Sequence, residues 1–155
     1  MDVKLSDYIK AERVLLDLKS TSKLDVLSEI AQFAFEKRLV SDPDPVFEGL
    51  LAREELISTA IGDGVAIPHA RCKGAEGMFI IFARSQKGVD FDSLDGEPVY
   101  LFVTIIGPED RDQDQLKVLS RTARLLKYPD FRNKFLRAET EEEALALVRE
   151  GEGGG

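Results

Sequence analysis

An α/β layered fold is predicted by three features of the 155-residue chain. Two short apolar runs, MFIIFA at 78–83 and VYLFVTII at 99–106, are almost free of polar residues, as expected of strands covered on both faces. Segments with apolar residues at helical spacing precede and follow them. Strand-like and helix-like stretches therefore alternate, which calls for a sheet with helices packed on it.

In chain order, residues 5–9 read as one helical turn and residues 14–18 as a short strand. Ser22 with Asp25 three positions on has the form of a capping box. Beyond it Leu27, Ile30, Ala31 and Ala34 share one helical face, predicting an amphipathic helix over 22–39. Asp42-Pro43-Asp44-Pro45 is a break and a restart, since proline suits the first helical turn. The following helix, about 44–55, turns Val46, Phe47, Leu50 and Leu51 inward and carries Arg53 and Glu54 at its end. After the strand at 78–83, Gln86-Lys87-Gly88 is expected to turn. Asp95-Gly96 marks another turn before the strand at 99–106. Gly107-Pro108 ends that strand. A helix over about 113–127 is expected to bury Leu116, Leu119, Ala123 and Leu126. Tyr128-Pro129-Asp130 starts a short helix through Leu136, and Thr140 with Glu143 caps the last one. No internal repeat or linker divides the chain, so residues 1–150 read as one domain and 151–155 as a flexible tail.

Composition narrows the function classes. Apolar residues make up 43% and charged residues 32%, a globular balance. Lys and Arg number 21 against 29 Asp and Glu, a net charge of −8, which disfavours nucleic acid and anionic membranes as partners and favours a basic protein. The single cysteine, Cys72, excludes an internal disulfide and suits a reducing compartment. No run reaches the ~20 apolar residues of a membrane span, and MDVKLSDYIK has no signal-peptide core. The chain reads as soluble and cytoplasmic.

The chemistry concentrates in REELISTAIGDGVAIPHA, residues 53–70. An apolar approach, Val65-Ala66-Ile67, stops at Pro68, which lacks an N–H and holds Ile67 extended. Directly after this stop comes His69, the only histidine. At the end of a sheet such a residue can act as base, metal ligand or nucleophile, or merely bond a neighbour. Gly62 and Gly64 suit a tight turn around Asp63.

This stretch resembles the active-site signature of phosphotransferase-system enzyme IIA domains of the fructose/mannitol type. The pattern runs from an acidic or amide residue, Glu54, across six residues to Ile61-Gly62, then past two free positions to Val65-Ala66-Ile67-Pro68-His69-Ala70. Arg53 and Ser58-Thr59-Ala60 also match what the family carries. The similarity extends over about residues 5–148 and is nearest to the stand-alone nitrogen-regulatory subgroup. It implies a single mixed sheet of about five strands flanked by helices on both sides. It further implies that His69 takes a phosphoryl group from an HPr-type phosphocarrier on Nε2, with Nδ1 held by a backbone carbonyl. The group then passes to a cysteine of a IIB domain in sugar uptake, or its presence signals to a regulatory target protein. No cofactor and no metal are implied.

Around His69 the candidate phosphate- or partner-binding residues are Arg53, Ser58, Thr59 and Gln115. Arg53 offers a planar fork for phosphate oxygens, or is a solvated cation at a helix end. Ser58 and Thr59 offer hydroxyl donors, or cap local backbone. Relatives carry a second histidine where this chain has Gln115, in Gln115-Leu116-Lys117-Val118-Leu119. Glutamine donates a hydrogen bond but cannot become cationic. Because the Leu116/Leu119 face must pack inward, Gln115 is expected at the helix start near His69. His69 and Cys72, three apart, are two ligands short of a metal site. A binding module that no longer transfers, or a hydrolase with His69 as base, are the alternatives. The hydrolase lacks a matching Ser or Cys motif.

Overall fold

The computed structural model describes residues 4–10, 13–110 and 112–153. A 3₁₀ turn at Leu5–Asp7 leads to β1 (Val14–Leu15), α1 (Lys23–Glu36) and α2 (Pro43–Leu56). Three short strands follow: β2 (Ala60–Gly62), β3 (Val65–Ala66) and β4 (His69–Arg71). The long strands β5 (Phe79–Val89) and β6 (Val99–Gly107) precede α3 (Asp112–Leu126), α4 (Pro129–Leu136) and α5 (Glu141–Gly153).

The sheet is mixed and runs β1-β5-β6-β3-β2, with β4 also paired to β6. β5 and β6 are antiparallel, whereas β3 and β4 both lie parallel to β6, in register Val65↔Leu101 and His69↔Ile105. They are two pieces of one line of chain. Pro68 sits between them without an N–H to donate, although its carbonyl still accepts from Ile105 N at 3.0 Å. Counted this way the sheet has five positions, and the helices lie on both faces as expected.

The apolar runs of β5 and β6 are buried because each face has its own core. Phe79, Ile81, Phe102 and Ile106 join α1 and α2, through Leu27, Ile30, Val46 and Leu50. Ile80, Phe82, Val103 and Ile105 join the layer of α3, α4 and α5, through Val118, Leu125, Phe135 and Val148. Phe82 meets Phe135 at 5.4 Å between ring centres. Each such side chain contributes about 1.5–3 kcal/mol on burial. Caps fix the helix starts: Ser22 accepts from Asp25 N, Asp42 from Asp44 N, and Thr140 from Glu143 N.

Several expectations are corrected. The Gln86-Lys87-Gly88 segment does not turn. It is a bulge inside β5, where the register shifts between Arg84 and Val89 and Gly88 takes φ 84° against the Tyr100 ring. β2, not anticipated, forms a hairpin with β3 through Gly62-Asp63-Gly64, whose φ values are 95°, 57° and 76°. α5 continues through Gly151 to Gly153, past the expected boundary at residue 150, and Glu152 accepts a hydrogen bond from Leu5 N. Gly154 and Gly155 lie outside the described residues.

The most consequential correction concerns α3. Its buried side is Gln115, Val118, Thr122, Leu125 and Leu126, while Leu116 is 68% exposed. Of the expected 116/119/123/126 face, Leu126 is buried and Leu119 and Ala123 pack against the core, so only Leu116 is misplaced, and Gln115 points into the protein itself. Accordingly, Leu116→Ala should change unfolding free energy by no more than about 0.5 kcal/mol. Leu125→Ala should cost about 2–5 kcal/mol. Urea unfolding of the two variants checks this, and the reverse order would return Leu116 to the core.

Candidate functional site

The site forms where parallel strands end, the usual place for chemistry in α/β sheets. β4 and β6 finish together, with Arg71 opposite Gly107 and Cys72 N donating to Gly107 O at 2.8 Å. α2 packs closely on β4 because Gly49 has no side chain. A Cβ there would stand 3.0 Å from Ala70 Cβ and 3.3 Å from Cys72 Sγ. Arg53, one helical turn after Gly49, is thereby brought over His69.

Both ring nitrogens of His69 are engaged. Nδ1 lies 2.8 Å from the carbonyl of Ile67. Arg53 Nε donates to Nε2 at 3.2 Å, and Arg53 Nη1 donates to Ile57 O at 2.8 Å. Arginine is always a donor, so Nε2 holds a lone pair and the ring proton is on Nδ1, donated to Ile67. Burial lowers the pKa of His69 below its ordinary 6.5. The Ile67 bond opposes that shift, and the Arg53 charge adds to it. At neutral pH the imidazole is therefore uncharged, with one defined tautomer.

His69 and Arg53 open into a cleft of about 480 Å³ that is also lined by Arg71, Glu109, Gln115 and Leu56. Gln115 is 6% exposed, and its Nε2 donates to Ala70 O at 2.8 Å. Its amide thus fastens the residue after His69. Ser58 and Thr59 do not line this cleft. Ser58 Oγ donates to Phe91 O at 2.7 Å and accepts from Ala60 N at 3.1 Å. Thr59 is 5% exposed, and its Oγ1 donates to Glu54 Oε1 at 2.9 Å. Both hydroxyls serve local structure, so of the five candidates the fold brings together His69, Arg53 and Gln115.

Three residues of the site were not singled out as such from the sequence. Arg71 stands two positions after His69 and so on the same side of β4, an alternation too short to read without the strand. Glu109 follows the end of β6. Glu54 was read as a signature position only; it is a buried carboxylate behind the site. Cys72 is buried, and burial together with Glu109 pushes its thiol up to about 11, so it is not a thiolate at neutral pH. Among the described residues no three His, Cys, Asp or Glu side chains converge as a metal site, and no helix is long and apolar enough to cross a membrane.

The arrangement is a neutral imidazole with a lone pair against Arg53, in a cleft that Arg71 and Glu109 also line, and it can act as a nitrogen nucleophile toward an anionic electrophile. Comparison with known proteins gives the same direction. A nitrogen regulatory protein of Bradyrhizobium diazoefficiens is 42% identical over 144 residues, covering 93% of each chain. The crystal structure of nitrogen regulatory protein IIA-Ntr from Neisseria meningitidis superposes with a TM-score of 0.84 at 33% identity, over 92% of this chain and 97% of that one. A complex of mannitol enzyme IIA with phosphorylated enzyme IIB from Escherichia coli shares the fold, with a TM-score of 0.77 at 19% identity over 91% and 96% of the two chains. The family model for the phosphoenolpyruvate-dependent sugar phosphotransferase system, EIIA 2, matches residues 7–151, and the chain belongs to that family.

Proposed function

We propose that the protein is a phosphoryl carrier that accepts the group on His69 Nε2 and acts as a regulator through its phosphorylation state. The observation that carries this is the ring itself: Nδ1 is tied to Ile67 O, and the Nε2 lone pair faces the cleft under Arg53. The donor is an HPr-type phosphocarrier bearing a phosphohistidine. His69 Nε2 attacks phosphorus in line, an N–P bond forms, and the donor's N–P bond breaks with its electron pair returning to the donor imidazole. Arg53 Nε must first leave Nε2. Its guanidinium then has donors for the phosphoryl oxygens, with Arg71 adding positive charge in the same cleft.

Regulation is favoured over sugar uptake by the 42% identity of a nitrogen regulatory relative, against 32% for a fructose-specific EIIA component. In the second reading, supported by the mannitol enzyme IIA–IIB complex of the same fold, the group passes to a IIB cysteine. A cytoplasmic location fits either use.

Exposure to a phosphorylated HPr-type donor, followed by mass spectrometry of the intact protein, should show one acid-labile phosphoryl group. His69→Ala should show none while keeping its unfolding midpoint nearly unchanged, and normal labelling of that variant would refute the assignment.

Arg53→Lys keeps a charge but loses the planar fork. It should slow uptake about 10-fold or more, equivalent to ~1.4 kcal/mol of barrier. Because the neutral ring is the nucleophile, the rate should be level above pH 7 and fall as pH drops through the lowered His69 pKa. Arg53→Ala removes a charge that lowers that pKa, so its fall should begin at higher pH. A rate for Arg53→Lys within error of the parent would leave Arg53 a helix-end charge only.

Gln115→His places a second titratable ring in the cleft. It should add a second apparent pKa to the pH–rate profile. Superimposable profiles for the two proteins would remove residue 115 from the transfer step.

A further inference from the structure

We propose that Glu54 is a positioning residue for His69, acting on the ring through the backbone of Thr59 and Ile67 without touching it. Its carboxylate is buried at 5% residue exposure and does not line the cleft. It accepts from Thr59 N through both oxygens, at 2.9 and 2.8 Å, and from Thr59 Oγ1 at 2.9 Å. Thr59 O accepts from Ile67 N at 3.0 Å. Ile67 O is the atom that takes the Nδ1 proton of His69. A continuous line of hydrogen bonds therefore runs from the carboxylate through Thr59 and Ile67 to the imidazole.

The geometry gives this line a purpose beyond packing. Arg53 and Glu54 are neighbours in the last turn of α2. One holds Nε2 directly and the other holds Nδ1 through the backbone, so the helix end controls both nitrogens. The segment between α2 and β2 leaves the helix at Ile57 with extended backbone and belongs to no helix or strand until Ala60. Its placement depends on what receives its N–H groups, and at Thr59 that is Glu54. Bonds to a buried carboxylate are stronger than neutral ones, so Glu54 fixes where Thr59, and through it Ile67, stands. Lys23 Nζ, 3.7 Å from Glu54 Oε1 and 3.2 Å from Asp92, offsets the buried charge. When the carboxylate is lost, Thr59 N is left unsatisfied, the Thr59 and Ile67 carbonyls reorient, and Nδ1 loses its acceptor. The Arg53 bond to Nε2 is then alone in opposing the other tautomer, so a share of the rings carries its proton on Nε2, which makes that nitrogen unreactive.

This inference deepens the phosphoryl-acceptor reading and rests on it for its functional consequence. Its first readout, the ring tautomer, exists whether or not phosphate is transferred. The experiment is ¹⁵N NMR of the full chain labelled in histidine, where the sole histidine gives one imidazole, paired with uptake from a phosphorylated HPr-type donor. The parent should show one tautomer with the proton on Nδ1. Glu54→Gln, which keeps an acceptor oxygen, should keep that tautomer and much of the uptake rate. Glu54→Leu, of similar volume with no acceptor, should show mixed tautomers and a rate lower by about 10-fold or more, the scale on which orienting groups act. A folded Glu54→Leu with the parent's tautomer overturns the proposal, as does a Gln variant that loses the tautomer as fully as the Leu variant. If Glu54→Leu does not fold, Glu54→Asp replaces it, one methylene too short for Thr59. It must then show the tautomer loss, and the parent's tautomer there overturns the proposal. Absence of uptake in the parent would count against the carrier reading alone, since the tautomers would still decide the role of Glu54.

Discussion

The hydrogen bond from His69 Nδ1 to the carbonyl of Ile67 decides which nitrogen of the ring can react. It exists because Pro68 interrupts the line of chain alongside β6. Between β3 and β4 one ladder N–H is missing, and the His69 side chain reaches back to the carbonyl two residues before it. With that proton placed, the other nitrogen carries a lone pair, which accepts from Arg53 Nε. Burial and the arginine charge keep the ring neutral, which a nucleophile at neutral pH requires.

The surrounding electrostatics are divided. The chain as a whole carries a net charge of −8, yet Arg53 and Arg71 outnumber the carboxylate of Glu109 in the cleft at His69. Buried carboxylate chemistry is kept behind the site, where Glu54 is enclosed by Thr59 and Lys23. A net acidic chain suits a basic protein partner, while the local arginines suit an anionic group.

Much of this was legible in the sequence, for identifiable reasons. The β5 and β6 runs are covered by helices on both sides, so they carry no alternation and stand out. Ser22, Asp42-Pro43 and Thr140 announce helix starts through caps that the fold uses. His69 and Arg53 came from a motif whose spacing is fixed by a strand, a proline and a helix end. The failures are equally physical. In α3 the polar Gln115 and Thr122 lie on the buried side while Leu116 faces outward, so an apolar count placed Leu119, Ala123 and Leu126 but not the first turn. Ser58 and Thr59 have the right chemistry for phosphate, but their donors are claimed by Phe91 and Glu54, partners fixed only by the fold. Gly88 reads as a turn because a left-handed glycine is common to turns and bulges alike.

The central claim is that phosphate resides on Nε2 of His69, with Nδ1 still protonated and bound to Ile67. Heteronuclear ³¹P–¹⁵N NMR of the phosphorylated, histidine-labelled protein tests it most directly, since one histidine leaves no ambiguity of assignment. The predicted result is phosphorus coupled to Nε2 alone, with a proton retained on Nδ1. Phosphorus coupled to Nδ1, or a phosphoryl group on a residue other than His69, would contradict the account.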